Sequence, residues 1–128
     1  MESKIVAENI RLKRAYDDVH SGDGTRILVD RLWPRGVRKV DAAIDLWARD
    51  IAPSTGLRKW FGHNPDRWTE FRRRYLEEMR QHRERLDELR ALAQRGRITL
   101  VFAAHDAAHN DAVVLREILL GRSTSRAS

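Results

Sequence analysis

Apolar and polar positions change period several times along the chain, and each change marks an element. Ile10, Leu12 and Tyr16 alternate with polar residues, which predicts a first strand over 10–16, after a loose lead-in over 1–9. Ser21-Gly22-Asp23-Gly24 is a turn signal, and the run Ile27-Leu28-Val29 places a second strand over 26–32. From Val37 to Ile51 the spacing fits both periods. Val40, Ala43, Ile44, Trp47 and Ile51 recur as on a helix, whereas Ile44, Leu46 and Ala48 alternate as on a strand. The reading adopted is a helical turn over 39–43 and a short strand over 45–51. Ala52-Pro53-Ser54-Thr55 ends that segment, and Ser54 or Thr55 caps a short helix over 56–62.

Pro65 stands near the first position of the longest element. Trp68, Phe71, Tyr75, Met79, His82, Leu86, Leu89 and Ala93 then recur every three or four residues. This stripe predicts one helix of about 28 residues, roughly 42 Å long, that stops at Gly96. The unbroken apolar run over 98–104 reads as a central strand buried on both faces. The segment 106–110 opens a last helix, which buries Val113, Val114, Leu115, Ile118 and Leu119. Residues 121–128 are rich in Ser and Arg and read as a disordered tail.

Strands separated by helices predict a single α/β domain over 1–128, with its core over about 10–120. Its expected form is a small three-layer domain, a mostly parallel sheet of about four strands flanked by helices. In such sheets ligands bind beyond the carboxyl ends of the strands. The residues at those ends are Asp17, then Asp30, Arg31 and Arg35, then Ser54, then His105, Asp106, His109 and Asn110.

Composition narrows the function. Cysteine is absent, which removes disulfides, thiolate nucleophiles and cysteine-based zinc sites. No apolar run is long enough for a membrane span and no secretory signal pattern is visible, so a cytoplasmic protein is expected. The net charge of +6 favours an anionic partner, a small molecule or nucleotide. Nucleic acid is not favoured, because acids and bases interleave along the helices, as Arg72, Arg73 and Arg74 do with Glu70, Glu77 and Glu78.

"RILVDRLWPRG", "DLWARDIAPSTGLRKWFGHNP", "WTEFRRRYLEE" and "ITLVFAAHDAAHNDAVVLREIL" occur in this order from Ile10 to Leu120. Together they resemble the YeaO-like bacterial family, part of a wider group catalogued as a domain of unknown function. The resemblance implies a small three-layer α/β fold and gives no activity. The positions that match its pattern are Asp30, Arg31, Trp33, Pro34, Arg35, Gly36, Trp47, Ala52-Pro53-Ser54, Leu57-Arg58, Trp60-Phe61, His63, Asp106, His109 and Asn110. One position departs: the family more often carries Lys where this chain has His105.

Each cluster admits two readings. In "RLWPRG", Arg31 and Arg35 suit a phosphate or carboxylate and Trp33 suits a stacked ring. Alternatively Asp30 pairs with Arg31, Arg35 or Arg58, and Trp33 closes the core. In "HDAAHND", His105, Asp106 and His109 invite a metal reading. His105 ends a strand, however, and the glutamate of zinc helices is missing, so no metal is expected. Asp106 with His109 fits an acid–base pair better, and Asp106 also suits a helix cap. Ser54 fits a cap better than a nucleophile, since no nucleophile elbow surrounds it.

The expectation is therefore an anion-binding pocket at the strand carboxyl ends, acting as a hydrolase or transferase on a phosphate-bearing small molecule or nucleotide. Asp30, Asp106 and His109 would handle protons. Arg31, Trp33, Arg35, Ser54, Arg58, His63 and Asn110 would hold the ligand. No cofactor is specified. The alternative is a non-catalytic module that binds nucleic acid or protein. Either a monomer or a homodimer fits.

Overall fold

The structure is a computed structural model and describes residues 5–121. Apart from Gly121, the expected tail lies outside the described residues. Four strands form one parallel sheet: β1 (Ile10–Arg14), β2 (Thr25–Leu28), β3 (Leu46–Trp47) and β4 (Ile98–Phe102), in the order β1-β4-β2-β3. Ile98 lies opposite both Ile10 and Thr25, so β4 is central. All five of its residues are buried, as its unbroken apolar run requires.

Five helices accompany the sheet: α1 (Lys39–Ala42), α2 (Thr55–Phe61), α3 (Trp68–Met79), α4 (Arg83–Arg95) and α5 (Asp111–Leu119). Side chains alternate across each strand. Ile10, Ile27, Val29, Ile98, Leu100 and Phe102 face a core shared with Leu57, Phe61, Phe71, Tyr75, Met79, Leu89 and Leu115 of α2 to α5. On the opposite face, Leu28 and Val101 pack with Ala15, Trp33, Ile44 and Trp47. That face is covered by the β1–β2 and β2–β3 connections and the short α1, so its layer is thin.

Further toward the strand starts, the thin face turns polar. Asp23 is 2% exposed and takes Arg26 Nη1 at 2.7 Å and Lys13 Nζ at 3.1 Å. Burial pushes the Asp23 carboxyl up. The His20 backbone N–H, Lys13 and Arg26 outweigh it, and the carboxyl sits below its usual range. Thr99 Oγ1 donates to the Asp23 carbonyl at 2.6 Å and ties the cluster to β4. The next residue, Gly24, has φ +67°, and a Cβ there would stand 2.0 Å from the Arg97 carbonyl oxygen. Only glycine fits that turn.

The long helix expected over Trp68 to Ala93 is two helices. The N–H groups of Arg80, Gln81 and His82 bond three residues back, to Glu77, Glu78 and Met79, which tightens the turn. His82 then leaves helical geometry at φ −126°, and Leu86 N–H starts a new ladder on the His82 carbonyl. The reason is length. A strand of five residues spans only about 17 Å, whereas the single helix would run roughly 42 Å. The break keeps both halves on the core: Phe71, Tyr75, Met79, Leu86, Leu89 and Ala93 are all buried.

The strands are also shorter than expected, for local reasons. Arg14 and Asp17 close a turn on each other, which ends β1. Val29 N–H still donates to the Val101 carbonyl, but the next donor of β4, Ala103 N–H, goes to the Asp30 carboxylate at 2.9 Å. A side chain thus replaces the backbone and ends β2. After Trp47 the chain closes a 3₁₀ turn over Arg49–Ile51 instead of extending the expected strand. Asn110 caps α5, which therefore begins at Asp111.

Candidate functional site

Asp30 is fixed at three points where β2 ends. Its carbonyl accepts Trp47 Nε1 at 2.8 Å, its Oδ2 accepts Ala103 N–H, and its carboxyl is hydrogen-bonded to that of Asp111. Asp111 is the first residue of α5, directly after the capping Asn110. Both carboxyls are partly buried. Burial pushes Asp30 up, while the bonds from Asp111 and Ala103 and the charges of His63 and Arg58 hold it back; it stays raised. Burial, then the Asp30 charge and hydrogen bond, push Asp111 much further up, against the backbone N–H groups at the helix start. Two carboxyls in contact share one proton, and the pair titrates as a unit.

Arg58, from α2, adds positive charge felt by Asp30, after that of His63, and its Nε is buried without a hydrogen-bond partner among the described residues. His63 follows the α2 cap Gly62, and the two have φ of 57° and 52°. Two successive left-handed residues turn the chain sharply and leave His63 exposed beside the Phe61 ring. Phe61 packs on Trp68, and Trp68 meets the His109 ring edge-on at 5.1 Å. These contacts bring the 58–63 and 106–111 segments to the same end of the sheet as Asp30.

Asp106 and His109 are in contact, Oδ2 to Nδ1 at 2.8 Å. Asp106 Oδ1 also accepts the Ala108 and His109 N–H groups. The His109 contact, then those N–H groups, keep the Asp106 carboxyl below its usual range despite some desolvation. Asn110 is 3% exposed; its Oδ1 accepts Val113 N–H and its Nδ2 donates to the Asp106 carbonyl. Its polar atoms thus hold the α5 entry together. His105 is exposed, 3.5 Å from Arg14 Nη2.

The other candidates lie elsewhere or are engaged. Arg31 points away from Asp30, with Nε on the Pro53 carbonyl at 3.0 Å. Arg31 and Ser54 line a separate hollow of about 440 Å³ with Asp50, Glu77, Glu78 and His82. Ser54 is the α2 cap: its Oγ accepts Leu57 N–H and donates to Glu78 Oε2 at 2.5 Å, while Ser54 N–H donates to Glu78 Oε1. Trp33 closes the thin face, with Nε1 on the Val37 carbonyl and its ring against Trp47. Arg35 is exposed, and its carbonyl accepts the Tyr16 hydroxyl. On α3, Arg73 and Arg74 both reach Glu70 at 2.7 Å, and these contacts hold the Glu70 carboxyl at about 2.

Two residues of this neighbourhood carry no legible signal in the sequence. Asp111 reads as an ordinary acid in the first turn of a helix, and Tyr75 as one more member of an apolar stripe. Tyr75 is fully buried, and its hydroxyl donates to the Ile51 carbonyl at 2.6 Å. Burial, then the charges of Asp111, Asp30 and Glu78, push that hydroxyl well above its ordinary value. Among the described residues no group of three His, Asp or Glu side chains is placed to hold a metal ion, and no helix is long and apolar enough to cross a membrane.

Comparison with known proteins places these residues in a family. The model of the inactive DUF488-N3 subclade matches residues 9–127. The chain is 44% identical over 113 residues to the uncharacterized protein Rv3073c of Mycobacterium tuberculosis, covering 88% of this chain and 95% of that one. It is 44% identical over 111 residues to the uncharacterized protein YeaO of Escherichia coli, covering 87% of this chain and 96% of the relative. No solved structure matches it significantly. The chain belongs to the YeaO-like family of unknown function, within the subclade described as inactive.

Proposed function

We propose that the Asp30–Asp111 end of the sheet is a binding site for a nucleotide or a similar small molecule with a phosphate and a polar ring edge. The observation that carries this reading is the hydrogen-bonded Asp30–Asp111 carboxyl pair beside an arginine whose Nε has no partner among the described residues. A singly protonated pair offers one donor and several acceptors, which match the amide edge of a base. Arg58 and His63 supply positive charge for a phosphate. Asp106, His109 and Asn110 shape the rim.

The reading is of binding rather than turnover. The subclade's description as inactive supports this, as does the engagement of Ser54 as a helix cap. The pairing of Arg73 and Arg74 with Glu70 weighs against nucleic acid as the partner.

Calorimetric titration of nucleoside monophosphates into the chain tests the proposal. Micromolar to millimolar binding is expected, weakened at least about tenfold by Arg58→Ala or Asp30→Asn (about 1.4 kcal/mol) with the fold retained. No heat for any nucleotide, or equal binding by both variants, overturns it.

A further inference from the structure

A second concentration of positive charge lies at the opposite end of the sheet. Ala7, Glu8, Ile10, Arg11, Leu12, Arg97 and Arg116 line a hollow of about 480 Å³ beside the outer edge of β1, which no other strand of the described residues pairs with. Two of its three arginines are held by neutral backbone carbonyls. Arg116 donates from Nε to Ile10 and from Nη2 to Ala7, at 2.6 and 2.9 Å. Arg97 donates from Nε to Glu8 and from Nη1 to Gly22, at 3.2 and 3.3 Å. Arg11 is exposed on the strand itself. None of the three makes an ion pair among the described residues, unlike the arginines of α3.

This arrangement differs from a solvated charged face. Carbonyl partners orient a guanidinium without neutralising it, and they leave Arg116 Nη1 and Arg97 Nη2 available. Glu8 supplies the one acidic side chain of the lining, so the hollow keeps a positive balance. Its volume lies within the range of small-molecule sites, and Ala7, Ile10 and Leu12 add an apolar wall. Forked donors of this kind match phosphate oxygens.

We infer that the Arg11–Arg97–Arg116 hollow binds the phosphate or diphosphate group of a small molecule, at a site separate from the Asp30–Asp111 end. The three guanidiniums would take the phosphate oxygens, and the apolar wall would receive the adjoining part of the ligand.

Titration of the full chain with inorganic pyrophosphate at low salt, followed by phosphorus NMR, tests this. Saturable binding is expected. Arg11→Glu and Arg97→Gln should each weaken it at least about tenfold, while Arg58→Ala leaves it unchanged. The Arg11 side chain donates no hydrogen bond among the described residues, so its variant decides the matter if Arg97→Gln proves unstable in a melting curve. Absence of saturable binding overturns the inference. So does an affinity that Arg58→Ala removes and Arg11→Glu leaves intact, which would assign the anion to the Asp30–Asp111 end. In either case the arginines serve only as charged guards of the β1 edge.

Discussion

The carboxyl of Asp30 meets that of Asp111 where β2 ends and α5 begins, and both are raised above their ordinary values. Raised carboxyls make the folded chain bind protons more tightly than the unfolded one. Their contribution is therefore full below the unfolded value, near pH 4, and is lost as pH rises through the folded values. Stability from this pair should therefore be lower at pH 8 than at pH 4. Asp111→Asn removes the shared proton and should flatten that fall, while raising stability at pH 8 by about 1 kcal/mol. Urea unfolding at both pH values measures it. A wild-type slope that the variant leaves unchanged would count against the pair.

Asp23 gives the opposite sign. Its lowered carboxyl stabilises the fold above the unfolded value and loses that contribution as pH falls through the folded one. Asp23→Asn leaves Arg26, itself 3% exposed, without its carboxylate. A loss of about 3 kcal/mol at neutral pH is expected, with a shallower decline on acidification below pH 4. Equilibrium denaturation from pH 7 to pH 3 checks both parts.

Ser54 separates a cap from a nucleophile. Ser54→Ala removes the acceptor for Leu57 N–H and the hydroxyl bound to Glu78, and should cost about 1–2 kcal/mol. Nucleotide binding at the Asp30–Asp111 end should not change. A variant that keeps its melting temperature but loses ligand would place Ser54 in the site instead.

Much of this fold was legible because a single period dominates each stretch. The apolar run over 98–104 reads as a buried central strand, and Ile98–Phe102 of it is one; the apolar members of the stripe from Trp68 to Ala93 do line one core. The break at Arg80 to His82 was not legible, since the stripe continues in phase across it. Its cause is the short span of the sheet, a property of other segments. The candidate site divides in the same way. Asp30, at the end of a strand, announces itself by position, and its Asp106-to-Asn110 counterpart does so by composition. Asp111 does not, because its unusual state comes from a partner far away in the chain. Arg31 and Arg35 looked equivalent to Arg58 by residue type; only the backbone path shows Arg31 turned to the Pro53 carbonyl.

The strand order has a consequence for synthesis. β1 and β2 do not pair with each other; both pair with β4, which comes after all three other strands. A nascent chain that has reached the end of α3 holds its first two strands with no neighbour between them. The helices can form as they emerge, but the sheet closes only when β4 slides between β1 and β2. Folding is therefore committed late and through distant contacts, and a ribosome paused before Ile98 exposes β1 and the inner edge of β2, whose other edge can already pair with β3, to aggregation or to chaperones.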